Sequence, residues 1–287
     1  MEVETETRPP GYAELFKDPT PNEIILNRIV LPTMDLITRY SDFSERERSK
    51  AGSDLIDLIT VIVRKMWSVW KHANEYHAIE ARLVEEYSKN LTPNYILFSQ
   101  DLYEEFDVFS VQIKSTLDHL AWVFRPIFKG EKNWTVYTFH DCGTNVMNEL
   151  KSLKKYKAHS SLLERTLYTA GNRKWMEQIV GSRDRTNHYK SGGIDIRHVA
   201  IARNPDRSIR VPMWSQGQPL GAMIDIIWSN FFHYVEDFLV LAIKFRVPDK
   251  YSLMRTERSL SSNLPAWVVI SELQVNPKQI PAAEPLS

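Results

Sequence analysis

Two side chains in this sequence have the types and spacing to act on a phosphate. Arg183 and His188 lie in the stretch Gly181-Ser182-Arg183-Asp184-Arg185-Thr186-Asn187-His188-Tyr189, within the most basic part of the chain. Arginine presents a planar fork of donors that matches phosphate oxygens, and histidine is the side chain poised to exchange a proton near neutral pH. Five residues turn a helix through roughly 500°, a net ~140°, with a rise of about 7.5 Å. The pair is therefore not stacked on one face, but both side chains can converge on something lying across the helix, a phosphate or a partner helix. The structural alternative makes Arg183 a helix-terminal charge and packs His188 and Tyr189 beneath the hairpin that follows.

The charge around this stretch is uneven. The chain of 287 residues is neutral overall, with 36 basic and 36 acidic side chains and a pI near 7.1, so nothing global points to nucleic acid. Between Lys151 and Arg210, however, fourteen Lys and Arg face five Asp and Glu, a net +9. The stretch Lys71–Ser110 shows the balancing excess, with eight acids against three bases. Such asymmetry suits an anion-binding face, and equally a set of solvated lysine-rich helix faces.

The elements that must position these residues are mostly helical. Residues 1–20 read as a loose arm, with Pro9-Pro10 and Pro19 and an acidic start unlike a signal peptide. Residues 22–40 are apolar but interrupted by Pro32, which predicts two short helical pieces. Ser44-Glu45-Arg46-Glu47 matches a capping box, with Ser53-Asp54 as a later start, and an apolar stripe then runs from Leu55 through Ile59, Ile62, Met66, Val69 and Tyr76 to Tyr87. Thr92-Pro93 predicts the start of a second helix, its stripe passing through Leu102, Phe106, Phe109, Ile113, Leu117, Leu120 and Phe124 before Pro126. Two long helices joined by a short turn predict an antiparallel hairpin.

Beyond it, Trp134–Phe139 suggests a short strand, and helical character resumes at about 144–157, 162–170 (ended by Gly171) and 173–190. Residues 194–214 read as a β-hairpin about Asn204-Pro205-Asp206, and a last strong helix covers about 222–245. Residues 247–287 are mixed and tail-like, with Pro277, Pro281 and Pro285. The expectation is a mostly α bundle over residues 21–246, decorated by a hairpin. One cysteine, Cys142, excludes an internal disulfide and fits a reducing compartment. No run of about 18 apolar residues predicts a membrane span, so a cytoplasmic protein is expected.

Several chemistries lack their motifs. There is no Gly-rich phosphate loop, Cys cluster, His-Glu-x-x-His or Gly-x-Ser-x-Gly, and neither metal nor cofactor is expected. Lys151-Ser-Leu-Lys-Lys-Tyr-Lys157 reads first as a solvated helix face. Asp118-His119 sits inside the strongest apolar helix, where a satisfied histidine outweighs a metal ligand. His72 and His77 read as structural.

Arg183-Asp184, three residues and His188 resemble the arginine–polar–x3–histidine motif of HEPN-domain proteins, placed as in that family after two long antiparallel helices. Ser115-Thr116-Leu117-Asp118-His119-Leu120-Ala121-Trp122 is similar to the "LDHLA" stretch of related helical proteins. The resemblance covers roughly residues 53–190. It implies a four- or five-helix bundle, a homodimer with two motifs facing one groove, and a metal-independent endoribonuclease acting on single-stranded RNA in a defence or toxin–antitoxin setting. His188 would accept the 2′-OH proton and Arg183 would stabilise charge on the phosphate. Asp184 and Asn187 would orient the pair, Arg185 would meet a second phosphate, and Lys154, Lys155 and Lys190 would add RNA contacts. Members without catalysis imply the alternative, a helical interaction or sensor module.

Overall fold

The computed structural model describes residues 21–42, 48–89, 96–187, 200–204, 206, 208–214 and 217–271. Two long helices dominate it. Helix α2 (Ser53–Lys89) and helix α3 (Gln100–Trp122) run antiparallel, as their cross-links show: Lys129 just beyond α3 pairs with Asp54, His72 with Glu105, and Arg82 with Asp101. The stripes read from the sequence are the faces that meet. Leu55, Ile59, Ile62, Met66, Val69 and Tyr76 of α2 are buried, as are Leu102, Phe106, Phe109, Ile113, Leu117 and Leu120 of α3.

Three boundaries differ from the sequence expectation, each for a local reason. Residues 21–40 form one continuous helical stretch, α1, in which α-type turns (Pro21–Ile25, Leu31–Asp35) alternate with wider π-type turns (Leu26–Val30, Leu36–Tyr40). The Leu31 amide donates to Leu26 O, five residues back, so the hydrogen-bond ladder has already stepped out of register before Pro32, which donates nothing. Thr33 Oγ1 satisfies the Ile29 carbonyl at 2.6 Å. Helix α3 starts at Gln100, capped by Ser99, whose hydroxyl accepts from the Leu102 amide at 3.2 Å. Thr92-Pro93 and Ser44–Glu47 lie outside the described residues. A short helix α4 (Phe124–Ile127) contains Pro126.

Trp134–Phe139 is not a strand. The Trp134 ring is 1 % exposed and packs on Phe124 and Phe128, while its N–H donates to Ala121 O and Val136 O, both at 2.9 Å. With the Val136 carbonyl taken by the indole and the Phe139 amide by Asp118 at 2.7 Å, the segment is pinned to α3 by side chains instead of by a ladder. It turns through Asp141 (φ 47), Cys142 (φ 53) and Gly143 (φ 83) into α5 (Thr144–Lys151). At Gly143 a Cβ would meet the Phe139 ring at 2.3 Å, so only glycine fits the turn.

Helices α6 (Lys157–Leu167) and α7 (Ala170–Asn187) follow, and Gly171 lies in the first turn of α7 instead of ending the helix before it. A three-stranded antiparallel sheet joins β1 (Ile96–Phe98), β2 (Ala200–Arg203) and β3 (Ile209–Arg210), with Ile96 opposite Ala202 and Ala202 opposite Arg210. The expected hairpin is thus present as β2–β3 and recruits a third strand from the α2–α3 connection. Arg203 fastens it to the end of α2, donating to Tyr87 O at 3.0 Å.

Helix α8 (Leu220–Lys244) is the core of the bundle. It is long and apolar enough to cross a membrane, with a mean hydropathy of 1.3, but 72 % of that window is buried within the fold. Phe231, Phe232, Phe238 and Leu239 are buried; Phe231 meets the Trp175 ring, and Phe238 meets those of Phe124 and Phe139. Its acids are paired. Glu236 holds Arg28 of α1, and Asp237 holds Arg255 and the Trp267 indole. Those last two residues belong to a second hairpin, β4 (Tyr251–Arg255) with β5 (Trp267–Ser271), in a segment read from the sequence as mixed and tail-like.

Candidate functional site

The chain delivers Arg183 on α7, and α7 is placed by its apolar side. Trp175, Met176 and Ile179 are buried. Trp175 meets the rings of Phe231 and Tyr234 on α8 at 6.5 and 6.0 Å. Arg173 anchors the helix start, donating to Asp141 at 2.9 Å and to Glu177 at 2.7 Å. The backbone stays helical through Asn187, so Arg183, Asp184, Arg185 and Asn187 occupy its last turns. The side chains of Ser182 to Asn187, and His188 and Lys190 entirely, lie outside the described residues.

Leading up to the motif is a groove of about 580 Å³ along the α3–α7 seam, lined by Lys114, Leu117, His140, Cys142, Val180 and Gly181. Its chemistry is mostly settled internally. Lys114 donates to Asp118 at 2.5 Å, and the same carboxylate oxygen receives the Phe139 amide. Asp118 is therefore the post that ties the 134–139 segment to α3. Burial, reinforced by the charge of Glu177, pushes the Cys142 thiol up from its ordinary pKa, which disfavours a thiolate nucleophile.

The other expected residues are dispersed. Lys154 and Lys155 lie on a short helical turn (Lys154–Tyr156) before α6. Lys155 pairs with Glu131 at 3.1 Å, in the loop beyond α4, whereas α7 meets α3 at Lys114 and Leu117. From Lys114 to the end of α3 at Trp122 is already about 12 Å of helix. Burial raises the Glu131 carboxyl, but hydrogen bonds from Tyr156 and Lys155 and the Arg246 charge outweigh it and hold the pKa below its ordinary value. His72 donates to Glu105 at 2.6 Å and His77 to Asp225 at 2.9 Å, so both tie helices together. Among the described residues no group of three or more His, Cys, Asp or Glu could hold a metal ion.

No family model, curated protein or solved structure matches the chain.

One feature escaped the sequence reading. His119 lies in a second, larger groove with Asp57 and Arg125, at the opposite end of α3 from its start. Asp57 belongs to α2, so no local spacing connects the three. Arg125 beside Pro126, breaking the apolar stripe at the end of α3, was the one available signal.

Proposed function

We propose that this chain is a HEPN-like, metal-independent endoribonuclease acting on single-stranded RNA, assembled as a homodimer. The observation that carries the reading is that Arg183-Asp184 lies in the last turns of a helix docked against the second member of a long antiparallel helix pair. The reading takes the end of this helix as the place where a phosphate is held, with His188 following directly in the sequence. In the proposed step His188 removes the proton of the substrate 2′-OH, whose oxygen attacks the adjacent phosphorus. The bond to the 5′ oxygen breaks, that oxygen takes up a proton, and a 2′,3′-cyclic phosphate remains. Arg183 holds the non-bridging oxygens as charge accumulates there.

A second reading, a non-catalytic helical interaction or sensor module, is favoured by the charge geometry. Lys151, Lys155 and Arg173, three of the cations behind the +9 segment, are already paired with Glu164, Glu131, Asp141 and Glu177. One experiment separates the two. Purified protein is incubated with single-stranded RNA in EDTA, and the product ends are identified. Cyclic phosphate ends that disappear with His188→Ala, a loss of about 10²–10⁴-fold, support the enzyme. Arg183→Lys should restore charge without the bidentate geometry and stay impaired. Equal cleavage by His188→Ala, or activity abolished by EDTA, refutes the mechanism; an inert parent that stays monomeric by sedimentation leaves the module.

A further inference from the structure

A groove of about 840 Å³ lies between the first turns of α2, the end of α3 and the loop after α4. That volume falls in the range of small-molecule sites. Most polar groups around it are already satisfied. Lys129 is paired with Asp54 at 2.6 Å, and Lys132 with Glu149 at 2.5 Å. Glu131 is held by Arg246, Lys155 and the Tyr156 hydroxyl. The Trp122 indole N–H donates to Tyr137 O at 2.6 Å, so only its ring is offered to the groove.

Four groups are left over: Arg125, Asp57, a ring nitrogen of His119 and the exposed side-chain amide of Asn133. Arg125 and Asp57 are exposed and make no hydrogen bond or ion pair among the described residues. The third is a ring nitrogen of His119. Its Nδ1 lies 2.6 Å from Ser115 O, and a carbonyl only accepts, so Nδ1 carries a proton and Nε2 is the nitrogen left for a ligand, as an acceptor in the Nδ1–H tautomer. The ring is held flat against Trp122, centroids 5.7 Å apart at 22°. The inventory is thus one planar cation, two acceptors and the Asn133 amide, which can donate or accept, beside an apolar wall of Leu58, Val61 and Trp122.

That set does not suit a polyanion, because the uncommitted carboxylate and the lone-pair nitrogen both repel phosphate oxygens. It is complementary to a molecule carrying a carboxylate, an ammonium and an apolar side chain. We propose that this groove binds a zwitterion of the amino-acid type, a free amino acid or short peptide with an aromatic or branched side chain. Arg125 takes the carboxylate through its bidentate fork. Asp57 and His119 Nε2 accept from the ammonium, and the side chain lies on Trp122. The site is independent of the ribonuclease reading and uses none of its residues.

The test is calorimetric titration of the full chain with phenylalanine, leucine and the dipeptides Phe-Leu and Leu-Phe, alongside N-acetyl-phenylalanine amide and adenosine monophosphate. At least one zwitterion should bind with Kd below about 1 mM, and the capped amide, which lacks both charges, should not. Amino acids and dipeptides are separated by which binds more tightly. Arg125→Gln and Asp57→Asn, both exposed and structurally unengaged, should each weaken binding by at least about tenfold while leaving the melting temperature unchanged. Trp122→Ala should weaken aromatic ligands more than leucine. The proposal is overturned if no zwitterion binds at 10 mM, if the capped amide binds equally well, if adenosine monophosphate binds in their place, or if affinity ignores Arg125 and Asp57.

Discussion

Glu236→Gln tests the buried centre of the bundle. In the folded chain Arg28 is 0 % and Glu236 1 % exposed, and they meet through two hydrogen bonds, Nε to Oε1 at 3.0 Å and Nη2 to Oε2 at 2.5 Å. Oε1 also accepts the Ala266 amide at 3.2 Å, and Arg28 reaches Ser259 O at 2.7 Å, so one pair joins α1, α8 and the β4–β5 connection. The amide removes the negative charge and places an NH2 against the guanidinium, leaving a buried cation whose remaining neighbours, Ser259 O, the new amide oxygen, His233 and the Phe232 ring, carry no full negative charge. Breaking one side of such a pair costs about 3–5 kcal/mol. For a chain of this length that lowers the melting temperature by roughly 5–10 °C in calorimetry. Replacing both partners, Arg28→Met with Glu236→Leu, should recover most of the loss, because hydrophobic replacements escape the desolvation penalty. The pH profile follows. Burial raises the Glu236 pKa, but hydrogen bonds from His233 and Arg28 and the Arg28 charge prevail, so it is lowered from 4.5. A carboxylate with a depressed folded pKa stabilises above its unfolded pKa, and that contribution fades as pH falls through the folded value. The parent should lose stability below about pH 4.5, and Glu236→Gln should lose less over the same range. A Glu236→Gln melt within 1 °C of the parent would refute a dry ion pair at this position.

Trp134→Phe keeps the packing on Phe124 and Phe128 but leaves two carbonyls without their donor, an expected loss of about 1–3 kcal/mol by denaturant titration. Gly143→Ala should be worse, because the added methyl meets Phe139 and the Tyr168 hydroxyl at a φ of +83°; failure to express in soluble form, or a loss above about 3 kcal/mol, is expected, and a silent substitution would mean the turn is not as described. Glu80→Gln should leave stability at pH 7 unchanged or raised. Burial lifts the Glu80 pKa, and its Oε2 has no hydrogen-bond partner among the described residues, so the charged form is the one the fold disfavours there. A clear drop in melting temperature would show that the charge near His77 stabilises.

The long elements were legible because their information is periodic and local. From Leu55 to Tyr76 the buried positions of α2 recur every three or four residues, the period of a helix. What escaped was set by tertiary partners. Pro32 reads as a break, yet the π-type turn before it shifts the ladder and lets α1 continue. Trp134-Thr135-Val136-Tyr137 has strand composition, but the indole takes a carbonyl a ladder would need. Strand β1 was hidden because its partner, β2, lies a hundred residues on, and β5 because Trp267 is held by Asp237 of α8. Membrane-like composition in α8 likewise follows from its central place, where neighbours on every side favour apolar residues.

Charge excess along a sequence and a charged face in space are different things, and the basic segment shows why. Its +9 is a sum over residues 151–210 that already subtracts Glu164 and Glu177, and two of its cations also meet acids from outside that range. Lys155 meets Glu131, Lys151 meets Glu164, and Arg173 divides between Asp141 and Glu177. Lys154, Lys157, Arg165, Lys174 and Arg210 make no ion pair among the described residues, and they are spread over α6, α7, β3 and the turn before α6. A dispersed set of solvated lysines gives weak, salt-screened attraction to any polyanion, without a defined site. If RNA is the substrate, its specific grip must then come from the end of α7. Binding should therefore fall more with Arg183→Ala than with Lys154→Ala and Lys155→Ala together, measured by fluorescence anisotropy at 150 mM salt. The opposite ranking would place the RNA on the α6 side of the bundle and remove the motif from the argument.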